Sequence, residues 1–174
     1  MNGGNLMSGE AAWARNVMRA GTTTALNEGD LALAARVSRQ GLDLSPDDPD
    51  LLRLLLITQL GLQEIEAAQI TADRLDAMRL SPDTLDALIS AQLAAGRVAC
   101  ARDLVARGVA EGDVPAWSLE AARARIALYQ GDLSAARAIL VRGIERTPDA
   151  PILRKLMLEV LVADGDAAHA RDVT

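Results

Sequence analysis

The chain has 174 residues, of which 50% are apolar and 24% charged, with a formal net charge of −6; that is the composition of a folded, soluble chain with an ample core and excludes a disordered one. The acidic balance argues against general nucleic-acid binding, which needs a basic stripe to displace counterions. A lone cysteine, Cys100, excludes an internal disulfide and implies no oxidising compartment.

In chain order, residues 1–7 are expected to be a disordered lead-in, with Asn2, Gly3 and Gly4 small or flexible. A helix is expected from about Ser8, its N-cap, with Trp13, Val17 and Met18 on one side. Gly21 followed by Thr22, Thr23 and Thr24 predicts a kinked or weakened stretch, since Gly and β-branched residues are poor helix formers. A second helix follows Gly29-Asp30, with an apolar stripe of Leu31, Ala34, Ala35, Val37, Leu42 and Leu44, and stops before Ser45-Pro46. Asp48 is placed to cap the next helix, with Pro49 at its first position.

The same grammar recurs. Helices are predicted over Pro49–Leu60, Glu64 to about Arg79, Pro82–Ala95 (capped by Ser81), Arg97–Glu111, Pro115–Gln130, Asp132–Arg146 and Pro151–Ala163. A last one starts at Asp166 and has nine residues before Thr174. No segment alternates with period two, so no sheet is predicted.

The second helices share an opening. Gly29-Asp30-Leu31 returns as Gly96-Arg97-Val98, Gly131-Asp132-Leu133 and Gly165-Asp166-Ala167, with Gln63-Glu64-Ile65 as a weaker copy. The alanines five residues after each start are Ala34, Ala68, Ala101, Ala136 and Ala170, spaced 34, 33, 35 and 34 residues apart. That period is the mark of a helical repeat array. One helical hairpin cannot cover both its apolar faces, and stacking hairpins buries them in a continuous core. Gly41, Gly108 and Gly143 each lie seven residues beyond the alanine, where the next hairpin is expected to approach; repeat two has Leu75 there. The expectation is therefore all-α: a single domain over 8–174, with repeats at about 8–46, 47–81, 82–113, 114–148 and an incomplete 149–174.

The chain resembles the tetratricopeptide repeat (TPR) proteins over about residues 11–174. The marks are the Gly-Asp-Leu start, the alanine, the small residue seven further on, and Pro46 and Pro148; the family's bulky aromatics are replaced by Leu52, Leu55, Leu85 and Leu88. The resemblance implies a right-handed solenoid whose first helices line a concave groove that binds a peptide or protein partner. The groove residues it implies are Arg19, Asn27, Arg53, Asp83, Asp86, Arg125, Tyr129, Lys155 and Glu159. The Lys/Asn carboxylate clamp of chaperone-binding TPR proteins is not reproduced, since no Lys/Arg pair follows Arg19 and Asn27.

Chemistry-bearing residues are few. His169 is the only histidine, so no His-based metal cluster is available. Both Cys100 and His169 occupy a position that varies through Leu33, Ala67 and Ala135, which reads as a helix surface rather than a catalytic site. No phosphate-cradling loop is present. The expected role is thus an interaction scaffold, not an enzyme, with no cofactor, metal, nucleic acid or membrane partner. Its alternatives are the accessory N-terminal module of a larger enzyme or secretion component, and a self-associating solenoid. The wide apolar stripe of the helix from Pro151 suggests association through Ile152, Leu156 and Val160. Residues 1–8 carry no basic start or apolar core, and Leu51–Leu62 is too short for a membrane span. A cytoplasmic chain is expected, or a periplasmic one if a signal has been removed.

Overall fold

The computed structural model describes residues 3–165 and contains nine helices. They are α1 (Gly3–Asn27), α2 (Leu31–Leu44), α3 (Pro49–Gly61), α4 (Ile65–Asp76), α5 (Pro82–Ala94), α6 (Val98–Glu111), α7 (Ala116–Tyr129), α8 (Leu133–Arg146) and α9 (Pro151–Ala163). No strand occurs among the described residues. The helix expected from Asp166, with His169 and Ala170, lies outside them.

One device makes four of the turns. The amide of Gly29 donates to the Leu26 carbonyl and that of Asp30 to the Ala25 carbonyl, which satisfies two open carbonyls at the end of α1. The same pair of bonds closes α3 through Gln63 and Glu64, α5 through Gly96 and Arg97, and α7 through Gly131 and Asp132. The motif needs a left-handed residue: Gly131 has φ 75°, and Gln63 takes φ 60° in the copy that lacks glycine. The next residue then opens the following helix. Asp30 accepts from the Leu33 amide and Asp132 from the Ala135 amide. Glu64 and Arg97 make no such cap.

The returns between repeats use proline instead. Asp48 accepts from the Asp50 and Leu51 amides ahead of a helix whose first residue is Pro49, and Ser81 Oγ accepts from the Thr84 amide beside Pro82.

Four expectations are corrected. α1 starts at Gly3, not at Ser8: no proline interrupts the stretch, and the cost of Gly3 and Gly4 falls at the end of a long helix that is already nucleated. It also runs unbroken through Gly21–Thr24. There Thr22 and Thr23 turn their hydroxyls back onto the Met18 and Arg19 carbonyls, so their polar groups are satisfied inside the helix. α4 ends at Asp76 rather than Arg79, and Leu80 is buried in the turn that precedes the extended Ser81. Leu44 and Trp13, both read as apolar-face residues, are exposed.

The chain splits into two compact units, Met1–Arg79 and Leu80–Thr174. The boundary follows the repeat that carries Leu75 in place of glycine. In the first unit α1 packs on α2 and α3, and α3 on α2 and α4. In the second, α7 is central: it packs on α5, α6, α8 and α9. Ala34, Ala68, Ala101 and Ala136 are all buried.

The glycines sit where the next first helix comes in. A Cβ on Gly41 would lie 2.8 Å from Leu51 Cδ1, one on Gly108 3.0 Å from Leu119 Cδ2, and one on Gly143 3.1 Å from Leu153 Cδ1. Each such approach is tighter than a side chain tolerates without displacement. The small residues are thus the seats for Leu51, Leu119 and Leu153.

Candidate functional site

In the second unit the first helices α5, α7 and α9 lie side by side, since α7 packs on both of the others. Where they begin, a cleft of about 230 Å³ opens between them. Pro82, Asp83 and Asp86 come from α5, Trp117 and Ala121 from α7, and Pro151 and Ile152 from α9. Pro82 and Pro151 open α5 and α9, and Pro115 immediately precedes α7. Two carboxylates, an indole and an aliphatic side chain therefore face one space.

Further along the same face, Arg125 of α7 reaches across to α5. Its Nη2 lies 2.9 Å from Asp86 Oδ1, and its Nη1 donates to Ser90 Oγ at 3.3 Å. Ser90 in turn donates to the Asp86 carbonyl. The network fixes Asp86, whereas Asp83 in the first turn of α5 is exposed and has no such partner. Tyr129, one turn beyond Arg125, is exposed. Lys155 and Glu159 are exposed on α9, three and seven residues from Ile152, and so on its side of the helix.

Of the residues expected to bind a partner, the structure brings Asp83, Asp86, Arg125 and Tyr129 onto the α5–α7 face. Lys155 and Glu159 lie on α9 beside it. In the first unit Arg53 is half-buried on α3 and Asn27 is exposed at the end of α1. Arg19 is a different case. Its Nη2 lies 2.6 Å from Asp48 Oδ2 and its Nη1 3.0 Å from Asp50 Oδ2, so the guanidinium clasps α1 to the start of α3.

Burial alone would raise the Asp48 carboxyl. The Arg19 bond and the Leu51 and Asp50 amides outweigh it and hold the carboxyl below the usual carboxylate range. The Asp48 bond correspondingly raises Arg19.

The proposed association site is corrected as well. Leu156 and Val160 are 0% and 1% exposed, in one core cluster with Leu140, Leu153 and Ala136. Ile152 is partly buried against that cluster. The stripe of α9 is wide because α9 packs on two helices, α7 and α8, and not because it has an open edge. What remains outside is Val162.

Sequence reasoning missed Trp117. No motif or spacing in the sequence singles it out, and only the packing of α7 against α5 and α9 turns it into the cleft. Cys100 is exposed. Among the described residues no group of three or more His, Cys, Asp or Glu could hold a metal ion, and no helix is long and apolar enough to cross a membrane.

No family model and no curated protein matches the sequence. Several solved structures are similar to it. A tetratricopeptide repeat protein from Parabacteroides merdae matches with a TM-score of 0.66 and 14% identity, over 91% of this chain and 62% of that one. The MamA protein matches with a TM-score of 0.58 and 15% identity, over 92% of this chain and 87% of that one. The pilF protein of Pseudomonas aeruginosa matches with a TM-score of 0.68 and 14% identity, over 94% of this chain and 75% of that one. At these identities the likeness is one of fold: the chain has the all-α repeat fold of the tetratricopeptide repeat proteins.

Proposed function

We propose that this chain is a protein-interaction scaffold that holds a peptide or protein partner on the face formed by α5, α7 and α9. The reading rests on one observation above all, the cleft in which Trp117 and Ile152 share a space with Asp83 and Asp86. An indole beside an aliphatic side chain supplies apolar area for an anchor, and the carboxylates, Asp86 fixed by Arg125 and Asp83 exposed, supply charge. The mixed charges that follow on α9, Lys155 and Glu159, extend the same face with contacts of both signs. No catalytic step is part of the role.

The test starts from the intact protein, used to retain partners from its native source. The retained partner is then titrated by calorimetry against two variants. Asp83→Lys with Lys155→Glu changes exposed charge on this face and should weaken binding by about tenfold or more. Arg142→Glu, exposed on α8, should leave it unchanged. Equal losses from both would reject the α5–α7–α9 face as the site.

A further inference from the structure

A second cleft lies on the other side of α7. α7 packs on α6 and on α8, but those two are not packed on one another, so an open trough of about 400 Å³ runs between them. Its floor is Ile126 and Ala127 of α7 with Val105 of α6, all buried, and Ile139 of α8 forms a wall. Arg102 and Arg123 line it from α6 and α7, and no acidic residue does.

On α7, Trp117 and Ala121 point to the first cleft and Arg123 and Ile126 to this one. At 100° per residue the two sets lie on opposite sides of the helix.

The charges here run against the rest of the molecule. The chain carries 24 acidic residues against 18 basic ones, yet both charged groups that line this trough are guanidinium groups, with Gln130 the other polar side chain. Arg102 uses Nη2 to hold the Gln130 side chain at 3.1 Å and keeps its other donors. Arg123 is exposed and has no ion-pair or hydrogen-bond partner among the described residues. An arginine without a carboxylate beside a bare apolar surface suits a ligand that brings both an apolar group and a carboxylate, because the planar guanidinium binds carboxylates in two-point fashion.

We propose that the trough between α6 and α8 is a second docking site, for an acidic–apolar segment of a protein partner. Leucine-like side chains lie on Val105, Ile126 and Ala127, and carboxylates pair with Arg102 and Arg123. The volume falls in the range of roughly 300–1,000 Å³ usual for ligand sites. The trough is open to solvent, so a small free ligand would stay largely in water, whereas a chain segment can add contacts beyond its edges. The site does not depend on the α5–α7–α9 reading, and either can stand without the other.

The experiment measures fluorescence anisotropy of three labelled peptides of about ten residues on the whole chain: one alternating glutamate and leucine, one with lysine for glutamate, and one with alanine for leucine. The glutamate–leucine peptide should bind saturably, and its affinity should fall between about 50 mM and about 500 mM salt. The double variant Arg102→Glu, Arg123→Glu should weaken it by at least about tenfold. Ala106→Trp, which fills the trough from its exposed wall, should do the same without changing charge. Asp83→Lys should have no effect, which separates this site from the first.

Absence of saturable binding would overturn the proposal, as would equal binding of the lysine peptide. Undiminished binding of the alanine peptide would reduce the site to a general anion patch. Displacement of the bound peptide by dodecanoate or by a single-stranded RNA oligonucleotide would assign the trough to a different class of ligand and so overturn the partner named here.

Discussion

The two units use the same packing frame and finish their surfaces differently. In the first, Leu51 seats on Gly41, and in the second Leu119 seats on Gly108 at the equivalent place. Counting from those two leucines, Leu52 and Leu55 of α3 correspond to Glu120 and Arg123 of α7, and Gln59 to Ala127. The first set is buried, so α3 is covered by its neighbours. On α7 the corresponding positions hold a buried carboxylate, an exposed arginine and a small residue on a trough floor. Charges in the first unit are spent on clasps: Arg19 on Asp48 and Asp50, Arg39 on Glu64, and Arg74 on the Pro46 carbonyl. The lesson is that alanine, glycine and leucine positions set the stacking, while a handful of other positions on one central helix decide where a partner could sit.

The largest effect should come from the shared frame. Leu51→Ala deletes a fully buried side chain and should cost about 2–5 kcal/mol in urea unfolding. If Gly41 is its seat, Gly41→Ala should cost less in the Leu51→Ala background than alone, an interaction a double-mutant cycle reads directly. Strict additivity would break the frame argument.

Next comes the clasp. Asp48→Ala removes a helix cap and leaves Arg19 without its main partner, at a cost of roughly 2 kcal/mol after allowing for the exposure of Arg19. Asp132→Ala, an exposed cap in the second unit, should cost less. Both carboxyls are held below the ordinary carboxylate value, Asp48 against its burial by the Arg19 bond and Asp132 by the Ala135 amide. A carboxyl held below its ordinary value in the folded chain contributes stability that is complete above its unfolded pKa of about 3.9, and that stability is lost as pH falls through the folded value. Asp48→Asn should therefore flatten the acid limb of the unfolding midpoint measured against pH; an unchanged limb would mean that Asp48 is not held this way.

Gly143→Leu should cost about 1–3 kcal/mol, because a Cβ there would already lie 2.8 Å from Glu120 Oε2 and 3.1 Å from Leu153 Cδ1. A raised melting midpoint would place Gly143 on the wrong face.

A smaller gain is expected where the repeat lacks its glycine. Gln63→Gly relieves a left-handed non-glycine residue and should stabilise the first unit by about 0.5–1 kcal/mol once the extra freedom of the unfolded chain is deducted.

The smallest change should come from Glu120→Leu, which restores the residue type found at Leu52. The Glu120 side chain is 10% exposed and its Oε1 accepts from Arg146 Nη1 at 3.0 Å, while Oε2 has no partner and Arg146 is 68% exposed. An apolar replacement gives up one bond and removes an unsatisfied buried atom, so calorimetry should find stability within about 1 kcal/mol of the original. A large loss would mean that the pair is essential to the second unit.

Much of the architecture was legible in the residues. The turns at Gly29, Gly96 and Gly131, the Asp48 and Ser81 caps, and the glycine seats were all readable, and the helix from Pro151 has the bounds expected of it. The candidate site was legible only in part. Asp83, Asp86 and Arg125 were named through the resemblance to the tetratricopeptide repeat proteins, but Trp117 was not placed with them, and the trough edged by Arg123 gave no signal of its own.

What the sequence alone determined was therefore local and periodic: where most of the helices start and stop, and which small residue three of the repeats offer to the next. Caps, prolines and left-handed turns act within four or five residues, so their chemistry is complete in a short window. Tertiary structure decided which way the remaining side chains face. Leu156 and Val160 looked like an open edge, yet α7 and α8, both earlier in the chain, bury them. Arg19 looked like a ligand-binding cation, yet Asp48, 29 residues away, engages it. Burial and pairing are sums over neighbours brought together by packing, and only the packing fixes them.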